Sequence, residues 1–213
     1  WDESQLHWEP DTPWDIEQNY FKSYAFCRYT HAPLEAFKSI VLERSLAPQD
    51  IKCVNVSTYS RAATLSNQNY HNSLSAKFSI PYAIASWCYF KKSDQSIFSE
   101  QCLADEHVKN LARKVHVEHD EQMDINYPKA MPAKVDIYLE SGEVFTTQLD
   151  AAEGGPDSRF TKEKIIRKFV GLTEKYLTKD QIDIIIQFVF TLDKQNDAGI
   201  LRELLRKKEP VTK

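Results

Sequence analysis

Lys22, Cys27, Arg28 and His31 fall within ten residues of one another, interleaved with Tyr20, Phe21, Tyr24, Phe26 and Tyr29. Leu34, Phe37, Ile40 and Val41 then repeat at helical spacing, with Thr30 reading as the N-cap and Pro33 in the first turn, where its missing N–H costs nothing. A helix start offers unpaired N–H groups and the positive end of the dipole, so Lys22, Arg28 and His31 read as receivers of a carboxylate or phosphate. The same types also suit a solvated arginine, a surface histidine and a lysine snorkelling from an aromatic cluster. Cys27 beside Arg28 could have a lowered pKa. Nothing else marks it as a nucleophile, and lining a pocket is the role expected of it.

Tyr82 follows Pro81 in an apolar helix pattern. It is either a core aromatic with its hydroxyl at the rim or a phenol presented to a cleft, able to protonate an enolate. Lys77 lies five residues earlier, about 140° away around a helix, and reads as structural. His116, Glu118, His119 and Asp120 suggest a metal site, but in a strand His119 falls on the face opposite His116 and Glu118. A solvated sheet rim is the expectation, with no metal and no cofactor. Gly154-Gly155-Pro156 lacks the context of a phosphate loop, and no serine nucleophile elbow occurs.

The elements that must hold these residues follow from periodicity. Helices are expected over 31–46, 73–90, 105–113, 161–177 and around 200–205, with Pro81 forcing a kink or a break in the second. Strands are expected over 51–59, 114–119, 134–140 and 143–149, the last two joined as a hairpin at Ser141-Gly142, and residues 60–72 as a loop. Thr178 and Gln181 form a capping box for a further helix. Ile182, Ile184, Ile185, Ile186, Phe188, Val189, Phe190 and Leu192 make that helix apolar on nearly every side, so burial all round is expected. The fold class is α+β: an antiparallel-rich sheet with helices, followed by an all-helical tail. Residues 1–18 read as an extended lead-in, 19–155 as the α+β domain and 156–213 as C-terminal helices that pack on a further helical domain.

At 213 residues, 42% hydrophobic and 27% charged, the chain has the composition of a globular protein. Its net charge of −4 gives no basic footprint for nucleic acid or an anionic membrane. No apolar run reaches the ~20 residues of a membrane span. Cys27, Cys53, Cys88 and Cys102 lack metal-type spacing, which suits a reducing compartment. The basic run from Arg202 to Lys208 suits the last turn of a helix. The start at Trp1-Asp2-Glu3 suggests a fragment.

Three segments resemble the MmgE/PrpD family, in the family's order. They are Tyr20-Phe21-Lys22 with Cys27-Arg28-Tyr29-Thr30-His31 and Pro33-Leu34-Glu35-Ala36; Ala76-Lys77-Phe78-Ser79-Ile80-Pro81-Tyr82-Ala83; and Met131-Pro132-Ala133-Lys134-Val135 followed by Gly154-Gly155-Pro156 and Lys168-Phe169. The family includes 2-methylcitrate dehydratase, cis-aconitate decarboxylase and iminodisuccinate epimerase. The resemblance implies a small α+β lid whose C-terminal helices return to a larger helical domain. It implies cofactor-independent lyase chemistry on small di- or tricarboxylic acids, by proton transfer at a carbon α to a carboxylate, or the related epimerisation. It also matches Lys22 and Tyr82 to the lysine and tyrosine that the lid contributes to catalysis. Arg28, His31 and Cys27 are expected to bind substrate. The expected partners are the substrate, a helical domain or partner chain, and a second copy in a homodimer, in the cytoplasm or, in a eukaryote, the mitochondrion. The competing expectations are a non-catalytic lid-like subunit or acid-binding module, and a small-molecule regulator sharing only the fold.

Overall fold

The computed structural model describes residues 14–205. Of the lead-in, residues 1–13 lie outside that range, as do residues 206–208 of the basic run. Asp15–Gln18 form a single 3-10 turn.

Alternation pins the aromatic segment to the molecule. Tyr24 and Phe26 are buried. The residues beside them donate their N–H groups to passing carbonyls, Ala25 to Ser93 and Cys27 to Lys77, both at 2.9 Å, and earlier in the segment Phe21 donates to Gly154 at 2.8 Å. Phe26 packs edge-on against Phe98 with ring centroids 5.1 Å apart. Burying one such ring contributes about 2–3 kcal/mol, enough to fix the segment.

The sheet contains β1 (Ile51–Thr58), β2 (Val115–His119), β3 (Ala133–Leu139) and β4 (Val144–Leu149), in the order β2-β1-β3-β4. β1 pairs parallel with β2 and antiparallel with β3, and β3 pairs antiparallel with β4. The register aligns Val54 and Val56 with Val115, Val135 and Ile137, all of them buried. The helices covering this face are α1 (His31–Arg44), which packs on β3 and β4, and α4 (Ile80–Phe90), which packs on β2. The opposite face carries polar residues: Ser57 Oγ donates to Glu118 at 2.9 Å, and Lys134 pairs with Asp136 at 3.3 Å. Period-2 burial along β3 is the cause.

Pro81 breaks its helix rather than kinking it. Ser73–Lys77 forms α3, and α4 restarts after Ser79, whose Oγ accepts the Tyr82 N–H at 3.0 Å, with Pro81 at the second helical position. Residues 60–72 are not all loop, since Ser60–Ala63 makes the one-turn helix α2. Gly142 turns the β3–β4 hairpin with φ +93°, a conformation that glycine adopts without strain. The chain divides into two compact units, Trp1–Arg159 and Phe160–Lys213.

Helices α5 (Glu100–Ala104) and α6 (Glu106–Ala112) lie between α4 and β2 in the chain, and the second unit is helical, with α7 (Lys162–Thr173), α8 (Lys179–Val189) and α9 (Ile200–Leu204). Thr178 and Gln181 form the capping box: the Gln181 N–H donates to Thr178 Oγ1 at 3.3 Å, and the Thr178 N–H to Gln181 Oε1 at 3.1 Å. Within this chain α8 is buried on one side only, which leaves an apolar side of the kind expected to pack on a further helical domain. Ile182, Ile185 and Phe188 form a buried stripe, whereas Ile184, Val189 and Phe190 are exposed. The short helices of this unit cover only one side of α8. No helix among the described residues is long and apolar enough to cross a membrane.

Candidate functional site

The start of α1 differs from the capped terminus that the sequence suggests. Arg28–Thr30 form a 3-10 turn, so Thr30 is already helical at φ −87° and ψ −9° and makes no side-chain cap. Its hydroxyl turns back and donates to the Cys27 carbonyl at 2.8 Å. The group at this terminus that is equipped to meet an anion is therefore the Arg28 side chain.

Arg28 is held on three sides. Its guanidinium carbon lies 4.4 Å from the centroid of the Tyr20 ring, a cation–π contact. Nη2 donates to the Ala152 carbonyl at 3.0 Å, and Nη1 lies 3.5 Å from His31 Nδ1. Ala32, Ala133 and Ala152 are buried together, and their small side chains let the loop around Ala152 approach the start of α1. A guanidinium has five N–H donors, of which these contacts use two. Among the described residues no carboxylate lies within ion-pair distance of Arg28. Half-buried cations ordinarily have a counter-charge, because desolvation is costly.

Arg28 lines a cleft of about 410 Å³ within the first unit. The 18–20 segment, the loop of Pro128, Lys129 and Met131, and the 151–158 loop complete its walls. That volume falls in the range of small-molecule sites. Behind Met131 stands a tyrosine group. Tyr59 stacks on Tyr127 at 4.9 Å, and the Tyr29 and Tyr127 hydroxyls are 3.2 Å apart. That hydrogen bond and burial raise the Tyr29 pKa, so Tyr29 stays protonated at neutral pH.

The other expected site residues are placed as follows. Lys22 is exposed, and its Nζ donates to the Phe26 carbonyl at 3.2 Å. Cys27 is half-buried with a free thiol. His31 is 0% exposed, with the Tyr24 ring edge-on at 5.0 Å. A guanidinium only donates, so His31 Nδ1 is the acceptor in their contact. His31 thus orients Arg28, and the expectation that it receives an anion directly is corrected by its burial.

Tyr82 requires the larger correction. It is 0% exposed in the main core, and its hydroxyl donates to the Ile97 carbonyl. Burial drives its pKa upward. The structure does not bring it to the cleft. The interior of α4 is apolar around most of its circumference, so a tyrosine there is enclosed whichever way it turns. Tyr82→Phe is expected to cost about 1 kcal/mol of stability and to leave acid binding unchanged, as thermal melting and calorimetric titration of one preparation would show. A loss of binding with no change in melting would restore a role in the site.

At the expected metal cluster, His119 Nε2 lies 2.6 Å from Asp124 Oδ2, and Glu118 is taken by Ser57. Asp124 Oδ1 also accepts the Ser60 N–H at 2.8 Å. These hydrogen bonds, that of the Ser60 backbone first, lower the Asp124 pKa. A lowered carboxyl pKa gives stability that is present above the ordinary value and lost as pH falls through the lowered one. Melting temperature between pH 6 and pH 3 should therefore fall more steeply for the natural chain than for Asp124→Asn. Parallel profiles would contradict the assignment.

Sequence reasoning missed Tyr20 as the platform under Arg28, the Ala152 carbonyl and Lys129. Tyr20 had a signal, an aromatic preceding a nearby cation. The other two belong to loops without periodicity.

Fold and site together define an α+β domain that presents to a cleft an arginine held on three sides and without an ion-pair partner among the described residues. The chain belongs to the MmgE/PrpD family: the MmgE/PrpD C-terminal domain matches residues 24–192, a span that contains Arg28 and both loops of the cleft but begins after Tyr20 and Lys22. The family is one of dehydratases and other lyases. No curated protein matches the chain.

Proposed function

We propose that this chain is the acid-receiving, lid-type part of a lyase acting on small di- or tricarboxylic acids, by dehydration or decarboxylation through proton transfer at a carbon α to a carboxylate. The observation that carries the reading is Arg28, immobilised by Tyr20, His31 and Ala152 and lining a cleft without an ion-pair partner among the described residues. A planar fork of N–H donors matches a carboxylate bidentately, and such charge-assisted bonds are the strong ones. Deprotonation next to a carboxylate develops enolate-like charge, which a nearby cation stabilises.

Lys22 is the cation proposed for that second task. Its one partner among the described residues is a neutral carbonyl, so two of its three donors are available to substrate. Lys22 is exposed here, and an ammonium in water stabilises charge weakly. Full strength requires a covering surface that excludes water, and we assign that surface to a helical domain or partner chain. Calorimetric titration of succinate into the chain and into Arg28→Ala tests the reading. Binding that disappears in the variant supports it, and binding that is equal in both refutes it.

A further inference from the structure

We propose that Lys129 is a second carboxylate receiver in the Arg28 cleft, so that the two cations together select a small acid with two carboxylates over an acid with one. This rests on the reading of Arg28 as an acid receiver and adds to it the residue that sets how many carboxylates the site prefers.

The two residues lie about a hundred positions apart in the chain and line one cleft. Neither has a carboxylate within ion-pair distance among the described residues. In a protein of net charge −4, two cations in one concavity without ion-pair partners among the described residues are not an effect of overall composition. Asp157 is the one carboxylate of the lining, and it pairs with neither cation. The lining thus carries two positive charges and one negative. A mono-acid satisfies Arg28 and leaves Lys129 without an anion, whereas a di-acid meets both cations.

The backbone that carries Lys129 is tied down by two hydrogen bonds from the residues that follow it. The Ala130 N–H donates to the Asn126 carbonyl at 2.8 Å, and the Met131 N–H to the Asp150 carbonyl at 3.0 Å. The second bond ties the Lys129 loop to the loop that supplies Ala152, the partner of Arg28. The separation of the two backbone positions is therefore built into the fold. The ammonium itself is exposed and rides on a flexible stem, so its contribution is that of an exposed ion pair.

The test compares succinate with acetate, titrated at constant ionic strength into the natural chain, Lys129→Gln and Lys52→Gln. Lys52 is an exposed β1 residue outside the cleft, so its variant removes the same charge elsewhere. Lys129→Gln should weaken succinate binding about three- to fivefold and acetate binding less than twofold, while Lys52→Gln leaves both unchanged. Equal weakening of the two acids, or the same effect from Lys52→Gln, would overturn the role of Lys129 while leaving Arg28 as the receiver. Absence of binding by the natural chain would overturn both.

Discussion

Arg28→Ala, in the enzyme that carries this domain, should raise KM for a small di-acid about ten- to a hundredfold, the scale of losing one or two hydrogen bonds to a charged group. The carboxylate that Arg28 holds is present in substrate and transition state alike, so its loss is expected in KM more than in kcat. The variant also frees Tyr20 and removes a donor from the Ala152 carbonyl, so melting should be recorded alongside the kinetics. Arg28→Lys separates the two effects. It keeps the charge but not the planar fork, and an intermediate KM with unchanged melting identifies bidentate recognition as the source. A KM that is unchanged in a stable Arg28→Ala variant would remove Arg28 from substrate binding.

The second large effect is expected at Lys22. Lys22→Ala should lower kcat about a hundredfold, as removal of an acid/base or charge-stabilising group commonly does. Its bond to the Phe26 carbonyl offers a structural alternative within one loop. Lys22→Gln keeps a donor for that carbonyl without the charge, so it should restore stability but not turnover. If Lys22→Gln turns over normally, the lysine holds the loop and takes no part in the chemistry.

The contrast between Arg28 and Tyr82 shows which parts of the site were legible in the sequence. Both stood beside helix starts in segments resembling the family, and both were expected near substrate. The helix after Arg28 has an approach in which Tyr20, Phe21 and Lys22 are exposed while Tyr24 and Phe26 are buried, and its interleaved cations announced a partly exposed segment. For Tyr82 the relevant fact is the run from Ile80 to Cys88, all buried in the structure. That run is apolar enough to be read as enclosure, and the enclosure prevailed over the resemblance. The sheet was legible because β-branched residues and the Ser141-Gly142 turn are local signals. Strand order was not, since the parallel β1–β2 pairing depends on where the intervening helices return the chain. The cleft was hidden for the same reason: Lys129, Ala152 and Arg28 come to line one cleft through packed alanines and loop hydrogen bonds that leave no periodic trace.

The direct measurement is the NMR signal of the Arg28 side-chain Nε–H while succinate is added at constant ionic strength. If the cleft receives a carboxylate at Arg28, that signal moves saturably with succinate, stays in place when chloride replaces succinate, and is assigned by its absence from Arg28→Ala. An Arg28 signal that is unmoved while the protein is intact would contradict the central claim that this arginine is held in position for a substrate acid.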